Sequence, residues 1–285
     1  MNTRSAATAG TTSGEARRNR LDRVLAARQD QGRTALIVYI TAGFPDLATS
    51  RRLIPALLEA GVDVVELGLP FSDPLADGPT IQRASHLALQ RGVRVADVLD
   101  LARTARAEGV AGPLVLMSYV NPLLATGLLE EPRRLMESGF DGLIVPDLPS
   151  LESQRWEAAC EGVGLRWIPF LTPTSPEARI RQVTGREGGF IYCVSLTGVT
   201  GARRSLPPSA VELLTRVRGR SRRPVAVGFG VSGPEAARAL AQYADAVIVG
   251  SALLDRIFAA EAEGANPVRA AQELVSDLRK ALDDR

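Results

Sequence analysis

Lysine and histidine are nearly missing from this 285-residue chain: Lys280, close to the C-terminal end, is the only lysine, and His86 is the only histidine. That removes the usual carrier of Schiff-base chemistry, and with no Cys/His cluster at ligand spacing no metal centre is expected. Two cysteines, Cys160 and Cys193, are too few for a disulfide framework and read as buried thiols of a cytoplasmic protein. No apolar run reaches the ~18 residues of a membrane-spanning helix. The first twenty residues also lack the apolar core of a secretory signal. Net charge is only +2, from 34 basic and 32 acidic residues with the arginines scattered, so neither nucleic acid nor an anionic membrane is an expected partner. Carboxylates, hydroxyls and backbone amides are left to carry any chemistry.

Residues 1–19 are rich in Ser, Thr, Ala, Gly and Arg and read as a disordered tail, with a transit peptide as the alternative. A short amphipathic helix carrying Leu21, Val24 and Leu25 is expected next, ending near Gly32. From there the chain alternates apolar runs with helical patterns. The runs are 35–41, 62–67, 114–118, 142–146, 165–171, 190–194, 225–229 and 246–250. Helices are expected near 48–60, 94–108, 129–138, 151–161, 175–184, 208–218 and 234–242, with one or two more closing the chain. Eight strand–helix units in residues 20–285 predict a single α/β domain, a (β/α)8 TIM barrel with an extra N-terminal helix. An open doubly wound sheet would carry a glycine-rich fingerprint after its first strand, and Thr41-Ala-Gly-Phe-Pro45 is not one.

In such a barrel the chemistry lies at the C-terminal ends of the strands. The second run ends in Glu66, which strand alternation places on the face of Val62 and Val64. A carboxylate among apolar neighbours is costly unless used or paired, and desolvation raises its pKa toward the range where it can both give and take a proton. The long Gly/Pro/Asp-rich loop behind it holds Asp73-Pro74 and Asp77-Gly78. Asp-Gly and Asp-Pro are ordinary turn pairs, so residue type alone assigns neither aspartate to catalysis.

Glycines gather after the last three strands. Gly228-Phe-Gly230 precedes Ser232, whose spacing to Glu235 is that of a capping box with Pro234 early in the helix. Gly250-Ser251 repeats a strand-to-helix turn after the eighth strand. Together these form the place where many barrels hold phosphate on backbone N–H groups, and Gly198-Val-Thr-Gly201 after strand six adds a third arm through Thr200 and Gly201. Tyr192, ending strand six, suits either the core or an aromatic substrate pocket. His86, past the loop on a helix starting near Thr80, reads as a surface or packing residue.

These residues resemble the tryptophan synthase α subunit family from about Leu21 onward. Residues 66–82, ELGLPFSDPLADGPTIQ, match that family's signature almost letter for letter, and Gly198–Gly201, Gly228–Gly230 and Val249-Gly-Ser251 match its mobile and phosphate loops in order. The resemblance implies cofactor-free retro-aldol cleavage of indole-3-glycerol phosphate to indole and glyceraldehyde 3-phosphate. It implies Glu66 as general acid/base, Asp77 at the indole N–H, Tyr192 and Thr200 as positioning residues, and Gly201, Gly230, Gly250 and Ser251 as phosphate ligands. It also implies a pyridoxal-phosphate β subunit as partner in an α2β2 assembly, docked over Asp73 and Pro74, with no pyridoxal phosphate on this chain. The alternatives are a stand-alone indole-3-glycerol-phosphate lyase, another phosphate-binding barrel with a different acid/base pair, and a weak barrel that mainly activates a β subunit.

Overall fold

The computed structural model describes residues 18–149, 152–194, 207–228 and 230–284. Its strands are β1 (Ala35–Thr41), β2 (Val64–Gly68), β3 (Leu114–Met117), β4 (Gly142–Ile144), β5 (Arg166–Trp167), β6 (Phe170–Leu171), β7 (Ile191–Cys193), β8 (Val225–Val227) and β9 (Ala246–Val249). All pairings are parallel, in the order β5-β4-β3-β2-β1-β9-β8-β7-β6. The two ends of that order are consecutive pieces of one stretch, so the sheet curls into a barrel of eight staves.

The fifth run, expected as one strand over 165–171, is broken at Ile168-Pro169. Proline has no N–H to give the ladder. The flanking groups still bridge both neighbours: Ile168 N–H donates to the Leu143 carbonyl at 3.0 Å, and Tyr192 N–H donates to the Pro169 carbonyl at 2.9 Å. The expected helix over 129–138 shrinks to Arg133–Glu137, and a separate short helix, Val120–Ala125, follows β3. Most of the other helices lie within a few residues of expectation, and Ser251–Ala262 and Pro267–Asp283 close the described chain.

Strand alternation sorts the core into two layers. Ile37, Val64, Val115, Ile168, Phe190 and Ile248 pack inside the barrel, while Val38, Val65, Leu67 and Leu116 face the helices. Val62, expected on the inner face with Val64, precedes β2 and packs in the outer layer. The N-terminal helix, Arg20–Asp30, opens with a reciprocal cap between Asn19 and Asp22 and sends Leu21 and Leu25 into the inner cluster, closing the N-terminal end of the barrel.

Buried and half-buried carboxylates hold that end together. Asp63, just before β2, accepts from Leu36 N–H at 2.8 Å and pairs with Arg28 at 2.6 Å and Arg279 at 3.2 Å. Asp141, before β4, accepts from Leu114 N–H at 3.0 Å and pairs with Arg106 at 2.8 Å and Arg20 at 2.9 Å. Asp245, before β9, accepts from Val225 N–H at 2.9 Å and pairs with Arg218 at 3.2 Å. Asp22 on the N-terminal helix accepts from Gly189 N–H at 2.7 Å and pairs with Arg166 at 2.6 Å. Each acid joins a backbone N–H at or near the start of a strand to a guanidinium, which satisfies both.

Candidate active site

Glu66 lies in the middle of β2, two residues before its C-terminal Gly68, in register with Tyr39 of β1. It is 1 % exposed, and its Oε2 has no hydrogen-bond partner among the described residues. Burial, reinforced by the negative charge of Asp77, pushes its pKa up to about 8. The acid is therefore protonated at neutral pH.

The loop behind β2 folds back over this acid. Asp77 N–H donates to the Pro74 carbonyl at 3.0 Å, and the Gln82 side chain donates to the Asp77 carbonyl at 2.9 Å. Tyr119, capping the helix after β3, accepts the Ala76 N–H on its hydroxyl at 2.9 Å, while Phe71 stacks on its ring at 5.2 Å between centroids. The carboxyl of Asp77 is pushed up to about 6 by burial, with a hydrogen bond to Tyr119 pulling the other way. Its coupling to Glu66 brings the two expected acids together with their values set apart: near pH 7 one is a proton donor and the other a carboxylate. Asp73 is exposed and Pro74 half-buried beside Leu75, which is 93 % exposed.

Two tyrosines flank the pair. Tyr192 belongs to β7, and its hydroxyl lies so close to Gly228 that a Cβ there would collide with it. Tyr39 stands the same way against Gly68. Both phenols are pushed well up, by burial first and then by the nearby acids, so both remain protonated donors.

The glycine loops follow the adjacent strands β8 and β9. Gly230 takes φ +50°, left-handed backbone that suits glycine. Gly250 caps the helix Ser251–Ala262, leaving that helix's first N–H groups without intrahelical acceptors at the barrel mouth. The expected capping box between Ser232 and Glu235 does not form. The helix starts at Pro234 with extended Gly233 as its N-cap, which moves Ser232 one position outside the cap and Glu235 to the second helical residue. Thr200 and Gly201 lie outside the described residues.

The family model for the tryptophan synthase alpha chain matches residues 25–283. The chain belongs to that family. It is 47% identical over 239 residues to the tryptophan synthase alpha chain of Carboxydothermus hydrogenoformans, covering 84% of this chain and 89% of the relative. It is 49% identical over 226 residues to that of Roseiflexus castenholzii, covering 79% and 87%. The crystal structure of the Legionella pneumophila alpha subunit superposes with a TM-score of 0.86 at 35% identity, covering 94% of this chain and 99% of that one.

For a member of the tryptophan synthase α family, a lyase of tryptophan biosynthesis, the residue reading missed two side chains. Tyr39 and Tyr119 stand near strand ends and belong to no motif. Nothing in local sequence says that their rings cross to Gly68 and to the loop holding Asp77. Among the described residues no helix is long and apolar enough to cross a membrane.

Proposed function

We propose that the chain cleaves indole-3-glycerol phosphate to indole and glyceraldehyde 3-phosphate, with Glu66 and Asp77 as its catalytic pair and no cofactor. The observation that carries this reading is two acids at the barrel mouth, one protonated and one ionised near neutrality, with no cation paired to Glu66 among the described residues. A retro-aldol step without lysine or metal needs its electron sink in the substrate. Glu66 gives its proton to indole C3, making the ring an iminium-like acceptor, and Asp77 holds the ring N–H as positive charge develops there. The Glu66 carboxylate then takes the proton of the glycerol hydroxyl next to the breaking bond. The C–C electrons return to the ring, the aldehyde forms, and Glu66 ends protonated as it began.

Tyr192 and Thr200 position the substrate, and Gly201, Gly230, Gly250 and Ser251 hold its phosphate on backbone amides and the Ser251 hydroxyl. Exposed Leu75, between Asp73-Pro74 and Asp77, supports a docking site for a β subunit on this turn, in a cytoplasmic α2β2 enzyme. The test is indole release from indole-3-glycerol phosphate by the purified chain, with and without a cognate β subunit. Release that rises on adding the partner, and loses that gain when Pro74 is made bulky, is expected. No release in either condition overturns the reading.

A further inference from the structure

The cleavage proposed above takes Glu66 through an ionised state in a buried site where, among the described residues, no cation meets it, so a neutral donor is what the described site offers to that charge. Around Glu66 the titratable groups are Asp77 from the loop, Tyr39 from β1 and Tyr192 from β7, with Tyr119 beyond Asp77. Asp77 repels the charge. Of the tyrosines, Tyr192 comes from a strand not adjacent to β2 and turns its hydroxyl to Gly228. Tyr39 is the direct register neighbour of Glu66, is 5 % exposed, and carries its hydroxyl to Gly68, two residues further along the same strand and therefore on the same face as Glu66. Gly68 has to be glycine for that hydroxyl to fit. Thr41 Oγ1 donates to the Tyr39 hydroxyl at 3.4 Å, which leaves the phenol's own proton for another acceptor. Among the described residues the buried carboxylate oxygen that lacks a partner is Glu66 Oε2, and Glu66 is one of the charges acting on the Tyr39 phenol.

Resting on that reading of the reaction, we propose that Tyr39 is a positioning residue: its hydroxyl, seated against Gly68 and oriented by Thr41, donates to Glu66 Oε2 when Glu66 has given up its proton. The bond is made only in the charged state, so it acts on the chemical step and not on substrate affinity. Thr41 works through Tyr39, since a phenol that accepts one hydrogen bond donates the next more strongly.

The test is steady-state cleavage across pH by wild type, Tyr39→Phe and Thr41→Val. The phenylalanine keeps the ring and its packing and removes only the hydroxyl. Expected for Tyr39→Phe is a kcat lower by about 10-fold or more with KM changed less than about 2-fold, since a hydrogen bond to a charged group is lost. The alkaline limb of kcat/KM, where Glu66 loses its proton, should move to higher pH because the ionised form has lost a donor. Thr41→Val should move both quantities the same way by less. An alkaline limb that stays in place in Tyr39→Phe, or a loss confined to KM, overturns the proposal. Wild type that releases no indole would instead overturn the underlying reaction, so the two failures are told apart.

Discussion

The two ends of this barrel carry carboxylates, most of them buried, in opposite circumstances. At the N-terminal end Asp22, Asp63, Asp141 and Asp245 each accept from a backbone N–H and pair with at least one arginine. At the C-terminal end Glu66 has an oxygen with no partner among the described residues, and the charge that acts on it is that of another acid, Asp77. The same atoms cost little where they are matched and a great deal where they are not. What separates a structural carboxylate from a chemical one is therefore its company and not its burial.

The sharpest way to break this contrast is to neutralise one acid at each end. Glu66→Gln should lower indole release by at least about 10²–10⁴-fold, because one group serves two proton transfers, while a non-cleavable substrate analogue still binds. Near-normal turnover by the purified variant would put Glu66 among the structural acids. The opposite profile is expected of Asp141→Asn, which leaves Arg106 buried without its counter-ion. Loss of about 3–5 kcal/mol in denaturant unfolding, with unchanged kcat per folded molecule, is the predicted pair of readouts.

Asp77→Asn tests a milder difference. The amide oxygen can still accept from the indole N–H but cannot carry the charge that balances it. Competition between indole-propanol phosphate and its N-methyl analogue should favour the N–H compound more in wild type than in the variant. Equal preference in both would take Asp77 out of its role.

The most gradual effect is on stability against pH. Glu66 titrates near its ordinary 4.5 when unfolded and near 8 when folded, so between those values the unfolded chain has released a proton that the folded one retains. Stability therefore falls with rising pH across that window, by at most about 1.4 kcal/mol per unit from this group, and the contribution is flat above it. Asp77 adds the same sign between 3.8 and about 6. Unfolding measured at pH 5, 7 and 9 should show Glu66→Gln gaining on wild type as pH rises, and a constant difference would mean that Glu66 is not protonated in the folded chain.

The active end was the more legible of the two in sequence. Glu66 stands inside an apolar strand pattern and Asp77 follows in the same loop, so local chemistry already marked the second stave. The clamps at the other end are spelled by single aspartates before strands, with partners 27 residues away for Leu36 and Asp63 and 121 for Arg20 and Asp141. No window of sequence holds both halves. The break at Pro169 was local but masked by the apolar run around it. The capping box at Ser232 failed because Pro234 fits the first helical position, which makes Gly233 the cap.

The helix that closes the barrel floor also fixes an order of events during synthesis. Asp22 is made early, yet the Gly189 N–H it accepts from lies 167 residues downstream. A ribosome adding about 5–20 residues per second needs roughly 8–33 s to span that gap. An 11-residue helix is marginal by itself, so through that interval Leu21 and Leu25 have no finished cluster to enter. The floor helix, translated well before its partners, is thus among the last pieces to settle, and the nascent chain carries its future floor as an open apolar surface for roughly 8–33 s.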